Sequence, residues 1–199
     1  MNYLDDDGDS DQELGLFAQY DGGATRAALY VQRDLNNGSG FYGGIYGEFM
    51  PSPQLDLRAS MEFSDDGAEW FQVGGDYKIN QFTVSAAFAT DPNADDFNIS
   101  SLGLGYQIND QFGVDVGFSC WDSGDEYMQS VRLGGSFELA SGVDIEAYVG
   151  RSEFSVGPQL RTFGISLKFE TGQRGIIHRD LIEKSYDDIG GGLPIFMVF

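Results

Sequence analysis

The chemistry open to this chain follows from what it has one of and what it has many of. It has a single histidine, His178, a single cysteine, Cys120, and 32 acidic against 11 basic side chains in 199 residues, a formal charge of −21. Hydrolytic catalysis near neutral pH needs a histidine beside a serine or carboxylate to move protons. His178 lies in RGIIHRDLIEKSY, beyond the last strongly patterned segment, and reads as a surface residue of a short helix rather than as a base. The chain is therefore not expected to be an enzyme. One cysteine excludes an intrachain disulfide and any Cys-based zinc cluster, and Cys120 reads as an inert, half-buried residue at a strand end. So large a negative charge repels phosphate backbones, which makes nucleic acid a poor partner and cations good ones.

Carboxylates in such number can hold hard cations or set the field of a channel. The densest group, Asp5, Asp6, Asp7, Asp9 and Asp11, has no Asp-x-Asp-x-Asp-Gly order around Gly8 and fails the pattern of a calcium-binding loop. No cofactor and no firm metal site are expected. Asp5, Asp7, Asp9, Asp95 and Asp96 remain weak candidates for loosely held Ca²⁺, and Asp65-Asp66 and Asp125-Glu126 would share the same rim.

The elements that must carry these charges are strands. From Leu14 to Phe169 the dominant period is two, the spacing of a strand with one apolar face. Gln54 to Phe63 shows it best: Leu55, Leu57, Ala59, Met61 and Phe63 alternate with Gln54, Asp56, Arg58, Ser60 and Glu62, charges that a helix would scatter around its circumference. Roughly eleven such segments follow one another, most about ten residues long, near the length of a tilted membrane-spanning strand. No stretch approaches the ~18 apolar residues of a spanning helix. Met1 to Glu13 (MNYLDDDGDSDQE) has neither a basic start nor an apolar run, so no signal peptide is expected there. The chain divides into an acidic segment 1–12, a strand region 13–170 and a tail 171–199 of changed character, in which Arg174, Arg179 and Lys184 accompany Ile176, Ile177, Leu181 and Ile182 before an apolar LPIFMVF end. The tail suits a short helix or an added strand.

The connections alternate between tight ones, such as Asp21-Gly22-Gly23, Asn80-Gln81 and Ala140-Ser141-Gly142, and longer acidic ones at Asp34 to Gly40, Ser64 to Ala68, Asp91 to Asp96, Asp122 to Glu126 and Glu153 to Gln159. In an up-and-down meander this puts short turns at one end and long loops at the other, the asymmetry of outer-membrane barrels. A soluble sandwich or barrel also alternates, but it has no reason to sort its loops by length. Tyr20, Phe41, Phe63, Tyr77, Phe82, Tyr106, Phe112, Trp121, Tyr127 and Phe169, near strand ends, are expected to form two interfacial girdles.

In texture the strands SLGLGYQI, VRLGGSFEL and VDIEAYVG, with their short Asn/Asp/Gly turns, resemble the Gram-negative porins, most closely the alphaproteobacterial, Rhodobacter-like branch. Thr162 to Phe169 (TFGISLKF) looks like that family's terminal strand, although here the chain continues to Phe199. The resemblance implies an all-β, antiparallel up-and-down transmembrane β-barrel in the cell outer membrane, of about 12 strands or the C-terminal part of one of about 16, with a non-barrel C-terminal tail. A strand descending from Leu14 needs an ascending neighbour before it, so an irregular seam is expected between the Leu14 and Phe163 strands.

On this reading the charges facing the lumen are Arg26, Glu48, Asp56, Arg58, Glu62, Asp76, Lys78, Asp115, Arg132, Glu138, Asp144, Glu146 and Lys168. Their acidic excess favours cations. Two functions compete: passive diffusion of small hydrophilic solutes or cations, and a non-transporting barrel acting as adhesin, receptor or anchor through its acidic loops. A strand number above about eight favours the first, because smaller barrels are filled by side chains. Outer-membrane lipid, lipopolysaccharide and further copies of the chain are the expected partners.

Overall fold

The computed structural model describes residues 13–34, 40–94, 96–141 and 143–169. The segments 1–12 and 171–199, with the histidine and the apolar end, lie outside the described residues.

Eleven strands follow in chain order: β1 (Glu13–Asp21), β2 (Thr25–Asp34), β3 (Phe41–Ser52), β4 (Leu55–Ser64), β5 (Gly67–Ile79), β6 (Phe82–Thr90), β7 (Phe97–Gln107), β8 (Phe112–Ser123), β9 (Glu126–Ala140), β10 (Val143–Phe154) and β11 (Leu160–Phe169). Each pairs antiparallel with the next, giving one up-and-down sheet in the order β1 to β11. The sheet is open between β1 and β11, which are not joined by a ladder. Among the described residues the strand count is odd, so these two edges run in the same direction and the sheet is not closed.

Two connections differ from expectation. Ser64 to Ala68 and Asp122 to Glu126 are not long loops: β4 and β5 are separated by Asp65-Asp66 alone, and β8 and β9 by Gly124-Asp125 alone. The strands run on past the point where apolar alternation stops, which lengthens β5 to 13 residues and β9 to 15. The loops 35–40, 91–96 and 155–159 at that end are longer, while the opposite end has tight turns throughout. One of these, Asn80-Gln81, puts Asn80 at φ 56°, which asparagine accepts more readily than most side chains.

Exposure separates the two faces. Leu57, Met61, Val84, Phe88, Leu102, Leu104, Val116, Leu133, Ile165 and Leu167 are all exposed on one face. Many residues of opposite parity are shielded: Glu48, Arg58, Ser60, Glu62, Gln72, Ser119, Ser130 and Ser152 are buried on the other. This is the inverse of a soluble protein, and the sheet is shielded round its polar side, hereafter the inner face. The outer face carries an aromatic band at each end. Phe41 packs on Phe63 at 6.2 Å near the longer loops, and Phe82 on Tyr106 at 4.7 Å near the tight turns. Trp121 does not join them: it shares its parity with Asp115 and Ser119, so strand alternation turns it inward against Phe97.

Ladder rows cross the wall obliquely. One inner row runs Arg26, Glu48, Arg58, Gly74, Ala87, Ser101, Ser119, Ser130, Ser152. It begins one residue into β2, beside a tight turn, and ends near the long-loop end of β10. Such a stagger is what tilted strands need in order to close into a barrel.

Candidate functional site: the charged inner face

Twelve of the thirteen charges expected in the lumen occupy inner-face register positions, and Lys168 is the ladder partner of Asp144. They do not stand alone. Arg26 bridges to Glu48, which is 2% exposed. Arg58 forks between two strands, with Nη1 on Asp56 Oδ2 at 2.7 Å and Nη2 on Asp76 Oδ2 at 2.8 Å. Arg132 Nη2 reaches Asp115 Oδ2 at 3.1 Å and lies 5.6 Å from the centroid of the Tyr148 ring. Lys78 is exposed, and it lines a cavity of about 650 Å³ at the tight-turn end together with Asp56 and Asp76. Glu138 and Asp144 are partly exposed, and Glu146 is exposed.

Glycines opposite the large inner residues give these side chains room to lie flat. Asp115 faces Gly134 and Tyr148 faces Gly164 across their ladders, so that a Cβ at either glycine would overlap the carboxylate or the ring. Tyr30 crosses Gly44 in the same way, with its ring 2.8 Å from where a Cβ would stand.

Two clusters were not legible in the sequence. Tyr42 and Tyr46 both donate hydrogen bonds to Glu62, the latter at 2.7 Å. Tyr30 stacks beside Tyr46 with ring centroids 6.0 Å apart. The available signal was parity, since Tyr42, Tyr46 and Glu48 alternate along one face of β3. The second cluster is apolar. Ala89 and Ile99, buried on the inner face, are covered by Trp70, Phe97 and Trp121. The weak calcium candidates are not gathered: Asp5, Asp7, Asp9 and Asp95 lie outside the described residues, and Asp96 is exposed. Among the described residues, no three His, Cys, Asp or Glu side chains stand close enough to hold a metal ion.

An antiparallel meander with an exposed apolar outer face, aromatic bands and a charged inner face is the wall of an outer-membrane barrel. The description of the Gram-negative porin family matches residues 2–157, most of the chain, and the chain belongs to that family. It is a protein of the cell outer membrane. Its fold is similar to a loop-deletion mutant of OmpT, an outer membrane protein of Vibrio cholerae, with a TM-score of 0.61 and 15% identity, covering 81% of this chain and 62% of that one. It also resembles a triple mutant of the Rhodopseudomonas blastica porin, with a TM-score of 0.52 and 13% identity over 82% of this chain and 81% of that one. The KdgM porin is matched at a TM-score of 0.50 and 7% identity, over 82% and 93%. The chain spans less than two thirds of the length of the OmpT structures it matches. One of these is a trimer form. No curated protein sequence matches.

Proposed function

We propose that the chain forms the wall of a water-filled channel for passive diffusion of small hydrophilic solutes, with a preference for cations. The observation that carries the proposal is the exposed apolar outer face backed by a charged inner one, an arrangement that serves lipid on one side and water on the other. The thirteen lumen charges comprise eight acids, namely Glu48, Asp56, Glu62, Asp76, Asp115, Glu138, Asp144 and Glu146, against five bases. Arg26, Arg58 and Arg132 are each neutralised by an adjacent carboxylate. Glu138, Asp144 and Glu146, toward the tight-turn ends of β9 and β10, add negative field to the water path, where carboxylates favour cations. The channel acts by diffusion rather than by catalysis and uses no cofactor. Its outer face meets membrane lipid, with lipopolysaccharide at the long-loop end. The trimer form of OmpT supports assembly with further copies of the chain.

The test is planar-bilayer conductance of the refolded protein, with the reversal potential measured in a KCl gradient. A potential of the sign set by K⁺ permeation is expected, shrinking as salt rises because exposed charges are screened beyond ~8 Å at physiological ionic strength. A conducting channel with zero reversal potential at low salt overturns the cation preference. A folded protein that does not conduct overturns the channel.

A further inference from the structure

At the long-loop end of the inner face, a cavity of about 610 Å³ lies between the β4–β5 hairpin and the loop before β7, lined by Glu62, Asp66, Glu69, Trp70, Asp91 and Asn93. Carboxylates alone would make only a solvated rim. Three further features make a receptacle of it. The first is a β-bulge: Glu62 pairs with Trp70 while Phe63 pairs with Ala68, so Glu69 is the inserted residue. In a regular strand Glu69 and Trp70 would point to opposite faces; the bulge lets both line the same cavity, the re-aiming for which bulges are suited. The second is an aromatic side chain in the lining, Trp70, with further rings packed behind it. Trp70 lies 5.8 Å from Phe97, and Phe97 lies 5.9 Å from Trp121, a continuous run of rings across β5, β7 and β8. The third is a fixed loop, since Asn93 Nδ2 donates to the Ala68 carbonyl at 2.7 Å and ties one side of the cavity to the other.

Carboxylates beside an indole select a ligand that is cationic and carries an apolar face. The charge is drawn by the acids and by the electron-rich ring, and the apolar part is drawn by the ring. We infer that this cavity is a binding station for organic cations with an aromatic or apolar face, such as aryl-substituted ammonium ions, at the mouth of the channel. The inference rests on the channel reading for its role in permeation, but binding itself can be measured without conduction.

The chain's only two tryptophans are Trp70, which lines the cavity, and Trp121, which stands behind Phe97, so the fluorescence of Trp70 reports on the site directly. The full chain, folded in detergent micelles, is titrated with phenyltrimethylammonium, with tetramethylammonium and NaCl as the charge-only probes. A saturable change in fluorescence is expected for phenyltrimethylammonium, at a midpoint at least roughly threefold lower than for tetramethylammonium, and none for NaCl. Trp121→Phe leaves Trp70 as sole reporter and keeps the response. Glu69→Gln with Asp91→Asn weakens the midpoint by roughly threefold or more, and Gln19→Ala, on distant β1, leaves it unchanged. Near-native far-UV circular dichroism verifies that each variant is folded. A response equal for all three salts, or one indifferent to the Glu69 and Asp91 changes, overturns the inference. In bilayers, a conducting channel that phenyltrimethylammonium does not bind defeats this inference and leaves the channel standing. Binding without conductance defeats the channel and leaves the cavity's ligand class intact.

Discussion

The inner face is built in two ways. On β2 to β5 long charged and aromatic side chains grip one another across strands: Arg26 with Glu48, Arg58 with Asp56 and Asp76, and Tyr42 and Tyr46 with Glu62. On β7 to β10 the corresponding positions are small. Ser101, Ser119, Ser130 and Ser152 follow one another across four strands, Gly103, Gly117 and Gly150 occupy the neighbouring row, and the ion pair of Arg132 with Asp115 crosses the face. The first half gains order from charge-assisted bonds that are costly to break singly. Along these two rows the second keeps its side chains short, with Phe97, Trp121 and Tyr148 outside them on the same face. A wall of one thickness can thus be rigid on one side and spacious on the other.

This contrast can be broken most sharply at Arg58, 7% exposed. Arg58→Leu removes the guanidinium shared by Asp56 and Asp76 and should cost about 3 kcal/mol, the low end for a broken buried pair because both acids keep some contact with water. The urea midpoint of the micelle-folded protein measures it, and a loss no larger than that of a surface substitution would show the network to be dispensable. Glu62→Leu removes the acceptor of two tyrosine hydroxyls and should cost about 2 kcal/mol in the same assay.

In the spacious half the expected effects are smaller and more selective. Gly134→Ala pushes the Asp115 carboxylate, whose Oδ2 lies 2.9 Å from the new Cβ, away from its seat beside Arg132. The cost should be about 1 kcal/mol, because a flexible side chain can yield, together with a change in reversal potential. Gly135→Ala, on the outer face with only the Gly113 carbonyl at 3.6 Å, should change neither. Equal effects at the two glycines would mean that backbone freedom, and not the inner carboxylate, is what matters there. The finest test lies in the serine row. Ser130→Ala loses the 2.6 Å bond to Ser152 and should cost about 1 kcal/mol. Ser119→Ala should be neutral to within ~0.5 kcal/mol, since the Ser119 hydroxyl oxygen is buried without a partner among the described residues.

Strand order and facing were readable because lipid on one side and water on the other imposes a period of two that survives along Leu55 to Phe63 without exception. Legibility failed where the wall leaves the membrane. From Gly67 to Trp70 and from Glu126 to Ser130 the ladder continues, but the alternation of apolar and polar residues is broken by the bulge at Glu69 and by the run Glu126-Tyr127-Met128-Gln129, so the hydrophobic signal ends before the strand does and the sequence reads as loop. Trp121 was misplaced for a related reason: nearness to a strand end suggests a girdle, but only parity decides the face. The facing of the charged residues followed from strand parity, whereas their partners did not. Arg58 meets Asp76 only once the β4–β5 register is fixed, and the bulge that recruits Glu69 leaves no mark in composition.

The oblique inner row from Arg26 to Ser152 bears on how the proposed channel can be mapped. Its nine members are consecutive neighbours in the hydrogen-bonded ladder, yet the first stands beside a tight turn and the last beside the long loops. Single cysteines placed along the row, in a background in which Cys120 is replaced, therefore sample successive depths of the lumen instead of one ring around it. The rates at which a charged thiol reagent added from one side modifies them would grade from one end of the series to the other, so that a single row serves as a depth gauge for the whole passage.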